Sequence, residues 1–477
     1  MSVGKWVLLA AAAIAAGCGG GGDGAAKSTE APGREPCETR GNCAPPEEPE
    51  PGCTAVAEEI RAEIGASHRL GLGDRLELGI AAAGLDAWSV AALTGGWRVL
   101  AEEADRLVLR APWSQPGTGT LALRLVCGAK AATLEVALEA APLRWSSLAS
   151  WAAGEGPPGR EYFAWWIDPQ DPDRALLFGG FHYVPRQYTV GSDFWSLDLA
   201  TGAWTELPTP ENAPGLAGGA VAPAPDGGRS VLWYGGLAIS LTTTTLPFEL
   251  AWLDYSTDTP AFEDAPVQGA PRNGTYQPIL VWDEPRARYV ILCGQGMLGP
   301  SCAARTWDPA TGAWASLRTE GAVPPGRSGA AWVHDTVNQR VILFSGEKGG
   351  GESAEDCDCD DETWALELAE DPPRWVRLET ARAPEPRRNG AFAYDPVGQR
   401  MLIWSGATDG FSSPAGIEAL ELTRGHEDWH AIPVAGGPRE RGSPGALYDP
   451  VRRRILFGFG NDNRRVYTDL HALELAP

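Results

Sequence analysis

The chain has 477 residues and a formal net charge of −23, and it contains 59 glycines and 40 prolines. This length exceeds what one hydrophobic core supports and predicts two or three compact units. The large excess of acidic residues disfavours contact with nucleic acid or with an anionic lipid surface, so we expect neither as a partner. Abundant glycine and proline among scattered aromatic residues indicate short strands joined by tight turns.

Residues 1–17 have the composition of an export signal. Lys5 precedes an apolar run from Trp6 to Ala16, which is too short for a bilayer span of about 20 residues. The letters IAAGC resemble the lipobox of bacterial lipoproteins, and this resemblance implies cleavage before Cys18 and a lipid on its thiol. Gly19 stands where an aspartate would resemble an inner-membrane retention signal. We therefore expect an exported protein that is lipid-anchored to the outer membrane.

Residues 18–52 consist mainly of glycine, glutamate and proline, with almost no large apolar side chain. Such a segment buries too little surface to order itself, so we expect a flexible tether.

Without Cys18 the chain has eight cysteines, an even number that suits disulfides in an exported protein. For Cys357 and Cys359, the most closely spaced pair, a reactive Cys-x-Cys dithiol is the alternative. The spacing favours four pairs: Cys37–Cys43, Cys53–Cys127, Cys293–Cys302 and Cys357–Cys359.

Residues 53–141 change character. Short apolar runs such as DRLELGI and DRLVLRAP are separated by glycine, aspartate and proline, which predicts an all-β unit of about seven strands. The runs WSVAAL and LRAPWSQPGTGTLALRL resemble the immunoglobulin-like modules of bacterial surface proteins, and this implies a small β-sandwich. A helix over TAVAEEIRAEIGASHRL is the alternative for the start of the unit.

From residue 142 to residue 477 the chain repeats one pattern six times. Each repeat has a turn aspartate, and the aspartates recur every 52 to 60 residues. Repeats 1 to 5 have four short apolar runs, here called strands a to d, and repeat 6 has only a to c. This period predicts a β-propeller. The aspartates are Asp168, Asp226, Asp283, Asp335, Asp395 and Asp449. An aromatic residue closes strand d in five repeats, and one more precedes the first repeat: Trp204, Phe262, Trp314, Trp375, Trp429 and Trp145.

An arginine before strand a, glycines after strand b and the aromatic residue of strand d resemble kelch repeats. The glycine doublet is intact at Gly179–Gly180 and Gly235–Gly236 and departs to Ser-Gly or Gly-x-Gly later. Repeat 6 lacks a strand d, so we expect Leu143–Leu148 to pair with the C-terminal run DLHALELA and remove an exposed edge. The predicted fold class is all-β: a six-bladed kelch-type β-propeller closed by an N-terminal strand and preceded by a small β-sandwich.

The loops between strands b and c are long in every repeat and share one face with the starts of strands a, so this face is the predicted site. Arginines near these starts would surround the channel mouth and grip carboxylate or phosphate. Similar kelch propellers hold acidic partners with arginines at this point. The alternative is that each arginine pairs with an acidic residue of a neighbouring blade. The predicted binding residues are Arg160, Arg272, Arg327, Arg387, Arg388 and Arg441.

The loop GEKGGGESAEDCDCDDETW is rich in carboxylates. Asp356, Asp358, Asp360 and Asp361 suit Ca²⁺, which takes six to eight oxygen ligands, although the spacing is not that of an EF-hand. A solvated acidic loop is the alternative. No other cofactor is expected. His426 and His430 lie about 13 Å apart if they share a strand, too far for one ion.

Two functions remain open. No nucleophile elbow, phosphate loop or zinc signature occurs, so we predict no catalytic residues and favour a monomeric, membrane-anchored binding protein that recognises an envelope protein or glycan. The other hypothesis is an exported carbohydrate-active enzyme, a hydrolase or epimerase, with carboxylates such as Glu161 and Glu440 at the same mouth.

Overall fold

The structure is a computed structural model that describes residues 52–152, 154–184, 187–239, 244–247, 249–349, 357–408, 413–462 and 464–476. The signal sequence, Cys18, most of the tether and the Cys37–Cys43 pair lie outside these ranges. Within these ranges no helix is both long enough and apolar enough to cross a membrane. The described residues belong to one compact unit, Pro51–Pro477.

The N-terminal part of this unit has one helix and seven strands in two sheets. Helix α1 buries Val56, Ile60 and Ile64, whose spacing places them on one face. The alternative of a helix at this point is therefore the one observed. The Cys53–Cys127 disulfide joins the helix to the end of the sixth strand. The elements are α1 (Cys53–Ile64), β1 (Ser67–Gly71), β2 (Arg75–Gly79), β3 (Ala87–Leu93), β4 (Arg98–Glu102), β5 (Arg106–Arg110), β6 (Gly117–Cys127) and β7 (Lys130–Ala141). The sheet orders are β1-β7-β6-β3 and β2-β5-β4.

The repeats form many small antiparallel sheets, and among the described residues the fold is all-β apart from α1 and one 3-10 turn. In repeats 1 to 3 the elements are β8 (Arg144–Ser150), β9 (Arg160–Glu161), β10 (Ala164–Asp168), β11 (Asp171–Val184), β12 (Gln187–Asp198), β13 (Trp204–Leu207), β14 (Ala220–Pro223), β15 (Ser230–Tyr234), β16 (Ala238–Ile239), β17 (Thr244–Thr245), β18 (Leu250–Asp254), β19 (Ala261–Asp264), β20 (Ile279–Asp283), the 3-10 turn Glu284–Arg286, β21 (Arg288–Leu292), β22 (Gln295–Gly296), β23 (Gly299–Pro300), β24 (Arg305–Trp307) and β25 (Trp314–Ser316).

In repeats 4 to 6 the strands are β26 (Ala331–Asp335), β27 (Arg340–Phe344), β28 (Thr363–Glu367), β29 (Arg374–Leu378), β30 (Ala391–Asp395), β31 (Arg400–Trp404), β32 (Ile417–Glu421), β33 (Trp429–Ile432), β34 (Gly445–Asp449), β35 (Arg454–Gly458) and β36 (Asp469–Glu474).

Every repeat contributes strands a, b and c of one sheet, and repeats 1 to 5 also supply strand d. In repeat 6 the fourth strand is β8, which pairs antiparallel with β36 and sets Trp145 opposite Leu473. The Trp145 ring packs edge-on against Trp404 and Phe457. The pairing segment is two residues longer at its end than the predicted Leu143–Leu148.

The predicted b–c loops contain secondary structure of their own. In repeat 1 strands β11 and β12 continue as one long hairpin. Repeats 2 and 3 carry short hairpins, β16–β17 and β22–β23, and the Cys293–Cys302 disulfide closes the base of the second. Parts of the b–c segments on the loop face are therefore β-hairpins.

The turn aspartates form ion pairs as well as turns. Asp449 accepts a hydrogen bond from the Val451 backbone at 3.0 Å, and its other oxygen lies 3.0 Å from Nε of Arg454, the first residue of strand b. The same pair recurs as Asp283–Arg288, Asp335–Arg340 and Asp395–Arg400. The sequence analysis predicted the turn but missed the arginine five residues later.

The N-terminal sheets and the repeats share one continuous core, so the structure has no break at the predicted boundary between residues 141 and 142. Leu72 and Leu143 pack in the same buried cluster as Leu402 and Leu473. Burial of such side chains stabilises the contact by about 1.5–3 kcal/mol each.

The kelch-like glycine is required at the second position of the doublet. There every repeat has glycine at positive φ, whereas Ser345 and Phe459 are tolerated at the first position. This explains the departures from the doublet. The six glycines are Gly180, Gly236, Gly294, Gly346, Gly406 and Gly460.

Gly460→Ala is expected to destabilise the fold strongly, because a Cβ at this residue would lie 2.5 Å from the carbonyl oxygen of Gly442. Gly425→Ala is a matched control, since φ is nearly the same (79° against 81°) and a Cβ there meets no atom within 4 Å. Both changes carry backbone strain of about 1–3 kcal/mol. Urea unfolding should show a larger loss in the free energy of unfolding for Gly460→Ala than for Gly425→Ala. Equal losses would contradict the close approach of residue 460 to the Gly442 carbonyl.

Candidate functional site

A central cavity of about 330 Å³ is lined by the first strands of all six repeat sheets. Each of these strands is preceded by one residue in the left-handed region, with φ between 50° and 69°. We call these six residues the collar: Tyr162, Gly218, Gln277, Gly329, Asn389 and Ser443. The left-handed turn places them at the loop-face end of the central cavity.

Hydrogen bonds connect the collar across the axis. The Gln277 amide donates to Asn389 Oδ1 at 2.7 Å, and Asn389 Nδ2 donates to the Tyr162 hydroxyl at 3.1 Å. The Gly218 backbone donates to the Tyr162 carbonyl at 2.8 Å. Burial raises the pKa of the Tyr162 and Tyr276 hydroxyls, so both remain neutral donors at physiological pH. The collar is therefore held in place by hydrogen bonds, and it forms the polar floor of the cavity that lies outside it.

Outside this floor lies a second cavity of about 440 Å³, which we call the mouth cavity. Strand-a starts and b–c segments contribute its walls, as predicted for the loop face. Its lining is mostly polar: Glu161, Tyr162, Tyr276, Gln277, Ser328, Glu347, Arg388, Asn389, Ala407, Gly442, Ser443, Asn461 and Asp462.

Glu161 is the most perturbed acid of the mouth cavity. Its residue is 7% exposed, and its carboxylate accepts a hydrogen bond from Asn461 Nδ2. Burial raises its pKa to about 7, although the Asn461 hydrogen bond opposes the shift. Glu161 thus exchanges a proton near neutrality. On another wall the Arg388 guanidinium donates to the Glu347 carboxylate at 2.6 Å.

Glu440, the second predicted carboxylate, does not line the mouth cavity. It borders a separate surface cavity with Arg439 and Arg464. The structure therefore brings only one of the two predicted carboxylates into the site.

The six predicted binding arginines differ in their burial and in their partners. Arg160, Arg327 and Arg441 are buried and form ion pairs with Asp193, Asp360 and Asp469. These partners belong to the same repeat as their arginine, not to a neighbouring blade as the alternative assumed. All three guanidinium groups are thus already engaged.

The other three predicted arginines differ. Arg387 is buried, Arg388 lines the mouth cavity, and Arg272 is exposed without lining a described cavity. Of the predicted binding residues, only Arg388 reaches the mouth cavity.

The predicted calcium ligands do not converge. Asp360 pairs with Arg327, Asp358 pairs with Lys348 at 3.4 Å, and Asp361 is exposed. Asp356 lies outside the described residues. Within the described chain the group with metal-like spacing is Glu347, Cys357 and Cys359 instead, and these two cysteines are joined as a disulfide. Calcium binding by this loop stays a prediction.

His430 packs elsewhere: its ring stacks on Trp113 at 4.3 Å between centroids. Sequence reasoning missed Tyr162, Tyr276, Asn389 and Asn461 at the mouth cavity. Aligning the repeats on their arginines would have revealed the collar, because its members stand two residues after the arginine position.

Comparison with known proteins gives limited matches. No protein-family model matches the chain. The chain is 29% identical over 162 residues to "Serine/threonine-protein phosphatase BSL2" of Arabidopsis thaliana, which covers 34% of this chain and 14% of that protein. The chain has a kelch-like, β-rich fold. It also overlaps the solved "Structure of YjhT" with a TM-score of 0.46 and 14% identity, over 66% of this chain and 95% of that one.

Proposed function

We propose that this protein is a binding module of the cell envelope whose mouth cavity recognises a neutral glycan. The six repeat sheets would be the blades of a closed kelch-type propeller, with the N-terminal sheets as an immunoglobulin-like sandwich. Signal peptide cleavage before Cys18 and lipidation of that residue would anchor the protein, as a monomer, to the outer membrane. Three disulfides among the described residues suit an oxidising compartment.

The observation that carries the proposal is the polarity of the mouth cavity. A sugar hydroxyl both donates and accepts hydrogen bonds, so it suits a wall that alternates carboxylates with amide, guanidinium and phenol donors. Glu347 and Asn461 on the walls, with Asn389 in the floor, offer this alternation.

The charge of the mouth cavity excludes some ligand classes. Three acidic residues line the cavity, Glu161, Glu347 and Asp462, beside one arginine, Arg388, which pairs with Glu347. A carboxylate or phosphate ligand would meet repulsion in such a site, whereas a neutral polyol would not. This balance favours a glycan without acidic groups over an acidic protein segment.

Arg388→Met is expected to weaken glycan binding at least tenfold, because it removes the cationic donor and leaves the Glu347 carboxylate without that partner. The measurement is calorimetric titration with neutral saccharides first selected on a glycan array.

Arg272→Met is the control, since it removes an exposed arginine outside the described cavities. Equal affinity of the two variants would contradict recognition at the mouth. Absence of binding to every neutral glycan tested would contradict the ligand class.

A second candidate is a carbohydrate-active enzyme, a hydrolase or epimerase, with Glu161 as its acid or base. The observation in its favour is that the Glu161 pKa of about 7 suits proton transfer at neutral pH. Turnover of glycosidase or epimerase substrates by the wild type, lost in Glu161→Gln with the fold retained, would support this candidate. Glycan binding without turnover would support the binding module over the enzyme.

A further inference from the structure

Three repeats place a buried arginine in the same arrangement. In repeat 6, Arg441 Nε donates to the carbonyl two residues earlier, and one terminal nitrogen donates to the Phe459 carbonyl. The two terminal nitrogens bind both oxygens of Asp469 at 2.5 and 3.1 Å. Arg160 and Arg327 repeat this pattern with Asp193 and Asp360. Each buried guanidinium thus has a bidentate carboxylate partner.

Repeat 5 keeps the arginine but not the carboxylate. Arg387 is 3% exposed and makes the two carbonyl contacts, to Glu385 at 2.9 Å and Ser405 at 3.2 Å. Among the described residues no carboxylate lies within ion-pair distance of its guanidinium. Burial lowers its pKa to about 10.

The strand register identifies the substituted residue. In repeats 1 and 6, Asp193 precedes Phe194, which faces Phe178, and Asp469 precedes Leu470, which faces Gly458. In repeat 4 this register position is Glu362, 3.9 Å from Arg327, and the bidentate partner Asp360 lies two residues before it. In repeat 5 the corresponding residue is Ile417, facing Trp404, so the position of the aspartate is held by Gly416.

The surroundings of Gly416 leave room for a ligand. A Cβ built on Gly416 meets no atom within 4 Å. The residue borders a cavity of about 440 Å³ that Ser114 and Gln115 also line. Glu418 is the acid whose charge acts most on Arg387, and both terminal nitrogens of Arg382 already bind its carboxylate, at 2.5 and 2.6 Å. Glu418 therefore does not serve as the bidentate partner.

We propose that Arg387 binds the carboxylate of a ligand in the position that Asp193 and Asp469 occupy beside the equivalent arginines. A carboxylate has the planar, two-oxygen geometry that the guanidinium edge grips in the other repeats. This subsite is separate from the mouth cavity and does not depend on glycan binding there. The carboxylate belongs to a free small acid or to an acidic side chain of a peptide, and the two probes below distinguish these sources.

The test compares Gly416→Asp with Gly416→Asn in thermal unfolding. Both variants carry the same backbone cost at φ 85°, but only aspartate supplies the internal carboxylate. In wild type and Gly416→Asn, 0.2 M acetate should raise the Tm by about 2 °C over 0.2 M chloride. In Gly416→Asp this rise should be absent, because the site is filled from within.

Acetylated and amidated aspartate, used as a second probe, should act at a lower concentration than acetate if the natural source is a peptide, and at no lower concentration if it is a free acid. Arg387→Met should also lose the acetate response, while Arg272→Met should keep it. A response of equal size in Gly416→Asp and Gly416→Asn would overturn the proposal. So would the absence of any acetate response in the wild type.

Discussion

Replacing Glu421 with alanine is expected to lower the free energy of unfolding by about 3–5 kcal/mol. Glu421 lies in β32 of repeat 5, and its carboxylate accepts from Arg110 of the N-terminal sheets at 3.0 and 3.1 Å. Both side chains are completely buried. The alanine variant leaves the buried Arg110 guanidinium without this counter-charge. Its remaining acceptors, the carbonyls of Gly73 and Gly398 and the Thr423 hydroxyl, are neutral and do not compensate the charge.

Arg98→Ala is the matched control. Arg98 binds the other oxygen of Glu421 at 2.9 Å, but its side chain is 48% exposed, so its removal should cost less than about 1 kcal/mol. Urea unfolding followed by tryptophan fluorescence measures both losses. If the two variants lose the same stability, the buried pair is not what secures the N-terminal sheets to the repeats.

Glu161→Gln is expected to stabilise the protein by about 2 kcal/mol above pH 7 and to have little effect below pH 4.5. The folded pKa of Glu161, about 7, lies above the ordinary value of 4.5. Stability from the protonated acid is therefore fully present below pH 4.5 and is lost as the pH rises to about 7. Glutamine stays neutral and still accepts from Asn461.

The measurement is the free energy of unfolding of both proteins from pH 4 to 8. The two curves should diverge between pH 4.5 and 7 and run parallel above that. Asn461→Ala, which removes the hydrogen bond that opposes the shift, should extend the divergence to higher pH. Curves that stay parallel throughout would show that burial does not hold the proton on Glu161.

The repeat pattern predicts much of the fold because each feature has a local cause. The turn aspartates, the glycines after strand b and the aromatic residue of strand d recur at fixed spacing. The pairing of β8, which contains Trp145, with β36 was also predictable. A repeat without its fourth strand leaves an exposed strand edge that another segment must cover.

The site was less predictable, because burial and pairing depend on residues distant in sequence. Arg441 and Arg388 occupy similar places in the sequence pattern. In the structure Arg441 is buried in an ion pair with Asp469, whereas Arg388 lines the mouth cavity. The Glu161 pKa depends first on burial and then on a hydrogen bond from Asn461, 300 residues later. The calcium prediction counted carboxylates without the arginine and lysine that pair with Asp360 and Asp358.

The pairing of β8 with β36 also has a consequence for biosynthesis. β8 ends at residue 150, and its partner begins at residue 469. At roughly 5–20 residues per second, a nascent chain carries the finished β8 for about 15–60 s before the ribosome supplies β36. Throughout that interval its backbone donors and acceptors are available to other chains, so production of this protein should depend on holdase chaperones more than production of a repeat protein whose strands all pair within one repeat.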